Sequence, residues 1–146
     1  IKQNIPFTSQ GMKAQIGVLF LAYRYTSSRQ SFFKNYNITL QQYNILRILR
    51  GQFPRPANIS MLRERMLDKM SDTSRLVDRL VKQGYIVKQP NERDKRNADV
   101  LITEKALQLL EKLDREDFEK STVFDLLNPE EIRTFNELVD KILSSL

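Results

Sequence analysis

The stretch Ser71-Asp72-Thr73-Ser74-Arg75-Leu76-Val77-Asp78-Arg79-Leu80-Val81-Lys82-Gln83-Gly84-Tyr85-Ile86-Val87 changes periodicity part-way along, and that change decides the fold. Ser71 is a good N-cap, because its hydroxyl can accept from the free N–H groups of a first helical turn. From there Thr73, Leu76, Val77 and Leu80 recur at the ~100° spacing of an α-helix, and Gly84 supplies the stop after Gln83. Ser71, Ser74, Arg75, Asp78 and Lys82 fall on the other side. One face of this helix is core and the other is free to bind. Beyond Gly84 the period drops to two, the alternation of a strand.

Tyr85-Ile86-Val87 and Val100-Leu101-Ile102 are β-branched or aromatic runs around a polar stretch, which predicts a hairpin. Its tip, Pro90 to Ala98, carries Arg93, Lys95 and Arg96 and is too long for a two-residue turn, so it projects into solvent. Upstream, Ser9 caps a long first helix reaching about Phe33, with Met12, Ile16, Leu19, Phe20 and Tyr23 at helical spacing. Thr39 caps a second, in which Leu40, Tyr43, Ile45, Leu46, Ile48 and Leu49 wrap most of the circumference, and Gly51 is expected to end it. Pro54 and Pro56 make Gln52 to Asn58 a surface connection, after which Ser60 opens a short helix through Leu67. Downstream, Thr103 caps a helix expected to run to about Leu127. Asn128-Pro129-Glu130-Glu131 then gives the N-cap, first-turn proline and capping-box acid of a closing helix. The fold class is mainly α with a small β-hairpin wing.

Composition narrows the chemistry. The chain has 146 residues, enough for one ordinary domain, of which 29% are charged and 40% hydrophobic. It contains no cysteine and no histidine, which removes thiol and imidazole catalysis and nearly all zinc and copper sites. With no paired-acid motif, glycine-rich phosphate loop or ligand cluster, no catalytic residues, metal or cofactor are expected and the chain is read as a non-enzyme. The longest apolar run, Ile16 to Tyr23, is far short of the ~20 residues that span a bilayer, so no membrane partner is expected. A cysteine-free chain suits the reducing cytoplasm. The net charge of +6 conceals an asymmetry: residues 1–98 carry eighteen Lys/Arg against six acids, and residues 99–146 carry six against twelve. Such polarity suits a basic lobe that meets a polyanion.

Helix, helix, turn, helix and basic hairpin is the layout of a winged helix-turn-helix, whose second helix enters the major groove of double-stranded DNA while the wing follows the backbone. Ser71, Thr73 and Ser74 stand in the first turn of that helix, where hydroxyls and free N–H groups hold a phosphate or reach a base edge. Arg75 and Arg79 follow, flanking Asp78, and arginine reads guanine bidentately. In the wing, Asp94 and Arg96 project to the same side of an extended segment, so the acid can orient its neighbour, and Arg93 and Lys95 add charge. An arginine at a loop tip suits the narrow minor groove. Plainer roles stand beside these: Ser71 as a cap only, Arg79 paired with Asp78 or Asp72, and the wing as a solvated turn.

Three segments carry a family resemblance. Thr39-Leu40-x-Gln42-Tyr43-x-Ile45-Leu46, the run from Ser74 through Leu76-Val77-Asp78-Arg79-Leu80 to Gly84-Tyr85-Ile86, and Asp94-x-Arg96 followed by Ile102-Thr103-Glu104-Lys105 together resemble the MarR family over nearly the whole chain. Lys95 stands where the family often has arginine, and Ala106 replaces a frequent glycine. The resemblance implies a bacterial transcriptional regulator, usually a repressor, acting as a homodimer on a palindromic operator. It implies one domain over 1–146, with a DNA-binding lobe at 38–103 and a dimerisation lobe built from the helices of 1–37 and 104–146. The apolar surplus of the first and last helices agrees, since one protomer cannot easily cover it. The resemblance further implies release of DNA by a small phenolic or anionic effector. Tyr23, Phe32, Phe33, Tyr36 and Tyr43 could line its cleft, or serve as core. A winged-helix scaffold for protein partners, without sequence-specific DNA reading, is the alternative.

Overall fold

The computed structural model describes residues 6–91, 98–116 and 123–145. Helix α1 (Gln10–Lys34) starts where the sequence places it, with Ser9 extended and its hydroxyl accepting the Met12 N–H at 3.1 Å. Helix α2 (Leu40–Gln52) opens on a full capping box: Thr39 Oγ1 accepts the Gln42 N–H at 3.1 Å, and Gln42 Oε1 accepts the Thr39 N–H at 2.9 Å. It runs through Gly51 instead of ending there. The stop is set by Pro54, whose ring disfavours helical backbone in the residue before it, and Phe53 accordingly has ψ 136°.

The connection after α2 is more than surface loop. Ala57–Asn58 forms a short strand, β1, with Ala57 only 1% exposed, and Asn58 in place of Ser60 caps helix α3 (Ile59–Arg65) by accepting the Met61 N–H at 2.8 Å. Helix α4 (Thr73–Lys82) is capped by Asp72 and not by Ser71. The Ser71 hydroxyl is committed backwards, donating to Asp68 Oδ2 at 2.8 Å, which leaves Asp72 Oδ1 to accept the Arg75 N–H at 3.1 Å. At the far end Gly84 takes φ 75°, and the N–H groups of Gly84 and Tyr85 reach back to the Val81 and Leu80 carbonyls, each at 2.9 Å. This left-handed exit satisfies carbonyls the helix would otherwise leave open.

Strands β2 (Ile86–Pro90) and β3 (Ala98–Ile102) form the expected hairpin, in register from Ile86 opposite Ile102 to Pro90 opposite Ala98. The sheet order is β1-β3-β2, all antiparallel. Thr103 Oγ1 donates to the Gly84 carbonyl at 2.8 Å, tying the start of helix α5 (Glu104–Arg115) to the end of α4. That helix stops well short of Leu127. Its last turn carries Lys112 and Arg115, with Lys112 paired to Glu116 at 3.6 Å, and Val123–Leu126 is a turn of 3-10 helix. Helix α6 (Pro129–Leu143) has the capping box read from sequence, with the Glu131 carboxylate accepting the Asn128 N–H at 2.8 Å.

Two compact units divide the chain, residues 1–110 and 111–146. In the first, Phe33, Ile45, Leu46, Leu49, Leu62, Val77, Leu80, Ile86, Val100 and Leu110 are each at most 1% exposed and make the core. Burial of several leucine-sized side chains, each contributing roughly 1.5–3 kcal/mol, fixes α4 on one face only. In the second, the rings of Phe124 and Phe135 lie 5.4 Å apart. No helix among the described residues is long and apolar enough to cross a membrane.

Candidate nucleic-acid interface

The turn between α3 and α4 is built by hydrogen bonds from short polar side chains. Leu67 N–H donates to Asn44 Oδ1 on α2 at 2.9 Å, which anchors the turn to the helix behind it. Asp68 accepts the Met70 N–H at 3.0 Å through one oxygen and the Ser71 hydroxyl through the other. Those two bonds, the hydroxyl's first, hold the Asp68 carboxyl below its ordinary pKa. The chain therefore enters α4 in a fixed direction.

Along α4 the described side chains separate as the 100° spacing requires. Thr73, Val77 and Leu80 are buried. Thr73 is 2% exposed and its hydroxyl has no hydrogen-bond partner among the described residues, so this member of the expected DNA-facing set stands with the core. Ser71 and Ser74 are half-buried, while Arg75, Asp78 and Arg79 are exposed. Arg75 pairs with Asp72, Nε to Oδ2 at 3.2 Å, and not with Asp78 one turn on. Asp78 is engaged instead by the Lys88 ammonium on β2, whose hydrogen bond and then whose charge lower the Asp78 pKa. Sequence reasoning considered Asp72 only as a partner for Arg79 and missed its pairing with Arg75, and it missed Lys88, which lies ten residues from Asp78 on another element.

With both acids occupied, Arg79 and Lys82 make no ion pair among the described residues. Both line a cavity of about 610 Å³ that also takes in Lys34 at the end of α1 and Gln30, Gln42 and Gln83. Among the described residues its cationic lining holds no acid. The five aromatics named for an effector cleft do not line this cavity. Phe33 and Tyr43 are core, with ring centroids 4.5 Å apart; Phe32 packs on Phe33 at 5.5 Å and on Tyr36 at 5.3 Å; Tyr23 is 67% exposed and faces a separate recess of about 270 Å³. The wing residues Arg93, Asp94, Lys95 and Arg96 lie outside the described residues. The strands leading to them are paired up to Pro90 and Ala98.

An exposed basic helix set by a rigid turn onto a three-helix core, beside a hairpin, defines a winged helix-turn-helix module. The sequence model of the MarR family matches residues 36–97. An uncharacterised HTH-type transcriptional regulator of Bacillus cereus is 30% identical over 113 residues, 76% of this chain and 74% of that protein. Among solved structures, a MarR protein from Peptoclostridium difficile superposes with a TM-score of 0.80 at 20% identity, covering 99% of this chain and 94% of the other. The S. aureus MepR–DNA complex gives 0.77 at 19% identity, covering 97% and 100%. The chain belongs to the MarR family of transcriptional regulators, DNA-binding proteins that are not enzymes.

Proposed function

We propose that the protein is a cytoplasmic repressor that binds double-stranded DNA as a homodimer, one α4 helix per half-site of a roughly palindromic operator. The observation that carries this reading is the exposed face of α4: its two acids are neutralised by Arg75 and Lys88, while Arg79 and Lys82 remain unpaired among the described residues. Arg75 is assigned to base reading, Arg79 and Lys82 to phosphate, and Ser71 and Ser74 to the groove edge near the helix start. In the wing, Arg93 and Lys95 are assigned to the backbone and Arg96 to the minor groove, oriented by Asp94. That MepR, of the same fold, is found in complex with DNA supports DNA as the partner.

Residues 38–103 form the DNA-binding lobe in this reading, and the helices of 1–37 and 104–146 the dimerisation lobe. Support comes from apolar side chains left open to solvent: Val18, Leu19 and Tyr23 on α1 are 63%, 70% and 67% exposed, and Ile142 and Leu143 on α6 are 59% and 61%. Two-fold pairing would cover them. An effector belongs in the cavity beside Arg79 and Lys82 in preference to the aromatic set, and is anionic, because an anion there takes two cations from the DNA-facing helix. Selecting bound fragments from a random duplex pool, then measuring Arg75→Ala and Arg79→Ala on the selected duplex and its single-base variants, tests the assignment. Arg75→Ala should cost about 1–3 kcal/mol and relax one or two base positions, while Arg79→Ala should weaken all sequences alike. Failure of the pool to yield any preferred sequence overturns it in favour of the scaffold.

A further inference from the structure

Asp72 makes two separate contacts to the same residue. Its Oδ1 accepts the backbone N–H of Arg75 at 3.1 Å, and its Oδ2 meets Nε of the Arg75 side chain at 3.2 Å. Capping requires only the first of these contacts. The second holds the inner edge of a guanidinium whose side chain is otherwise 84% exposed, with Asp72 itself 57% exposed. A guanidinium held through Nε keeps both terminal NH2 groups free, and those two groups form the fork that matches a guanine edge.

From this geometry we infer that Asp72 is a positioning residue that aims Arg75 at a base edge, giving the helix sequence discrimination that an unrestrained arginine would lack. The inference rests on the base-reading role proposed for Arg75. Arg79 shows the contrast on the same helix: it has no acid partner among the described residues, and the adjacent Asp78 is engaged by Lys88. A phosphate contact tolerates a mobile cation; a bidentate base contact needs both donors in one plane and direction. An exposed ion pair of this kind adds little to folding. An uncharged asparagine would cap this helix as well, so the choice of a negative charge, which works against phosphate, is explained by what it does to direction.

Electrostatics and positioning predict opposite things for Asp72→Asn. Asparagine caps as well as aspartate, so α4 should keep its stability, read as an unchanged unfolding midpoint. The variant loses the charge that holds Nε. On random-sequence duplex its affinity should stay the same or rise, since one negative charge is gone. On a duplex selected from a randomised pool by the unmodified protein, the preference over the single-base variant that Arg75 reads should fall by about fivefold or more. Arg75→Ala is measured on the same duplexes. If it removes the preference and Asp72→Asn does not, Asp72 is a cap only and the inference falls alone. If Arg75→Ala leaves the preference intact, the base-reading assignment falls and takes the inference with it. Arg75→Ala combined with Asp72→Asn should be no worse in preference than Arg75→Ala; a further loss means Asp72 reads the base itself and overturns the positioning role.

Discussion

Gln42 Nε2 donates to Gln83 Oε1 at 3.1 Å across 41 residues of sequence, joining the first turn of α2 to the C-cap of α4. Gln83 continues the line by donating to the Asn37 carbonyl at 2.7 Å. Gln42 is 3% exposed, and its other side-chain atom closes the capping box on Thr39. One side chain thus fixes a helix start and the angle of the helix proposed to read DNA. Gln42→Ala should destabilise the protein by about 1–3 kcal/mol, since a buried amide's partners lose their bonds together. Urea unfolding measures this, and a cost under about half a kilocalorie would show that the bridge contributes little.

The glycines give a signed pair. Gly84 has φ 75°, and the space where a methyl group would sit is open, its nearest neighbour being Lys105 Nζ at 3.7 Å, so backbone strain alone opposes a side chain there. Gly84→Ala should cost about 1–2 kcal/mol. Gly51 sits in α2 with no atom within 4 Å of the place a methyl would take, and Gly51→Ala should stabilise by up to about 1 kcal/mol. Thermal midpoints moving in the same direction for both would contradict these helix and exit assignments.

Three helix starts were legible in sequence because caps are local: Ser9, Thr39, and Asn128 with Glu131 each work within one turn. Strand β1 was not, since Ala57 is a strand residue only by pairing with Val100, far along the chain. Ser71 and Asp72 are equally good caps on paper, and Asp68 decides between them by taking the Ser71 hydroxyl. At the site, the 100° spacing set the outward direction of Arg75 and Arg79, but the partners offered for Arg79, Asp78 and Asp72, are held by Lys88 and Arg75. Arg75 pairs with Asp72, while Lys88, on a strand the helix period says nothing about, holds Asp78.

Asp78 supplies a pH test. Its folded pKa lies below the ordinary 3.8, through the Lys88 hydrogen bond first and the Lys88 charge second. For a depressed carboxyl the stabilising contribution is complete above the unfolded value and is lost as pH falls through the folded one. Any loss therefore begins only below about pH 4, and near neutrality the pair is fully formed. Lys88→Met should return the Asp78 pKa toward 3.8, followed by the carboxyl carbon shift in an NMR titration. An unchanged titration would mean Lys88 does not hold Asp78.

Leu19 tests the dimer. It is 70% exposed on α1, so Leu19→Glu removes almost nothing from the folded protomer and should leave its unfolding midpoint nearly unchanged. In a two-fold interface the same change occurs twice. Each lost leucine burial is worth roughly 1.5–3 kcal/mol, and each glutamate carries a charge that must stay wet, so the dimer dissociation constant should rise by about a hundredfold or more. Sedimentation of both proteins across a micromolar concentration series reads this directly. The variant should also lose preference for a two-half-site duplex over a single half-site, because the link between two α4 helices is what makes spacing matter. A Leu19→Glu protein that dimerises as tightly as the unmodified one would place the interface elsewhere and leave the exposed row on α1 without that role.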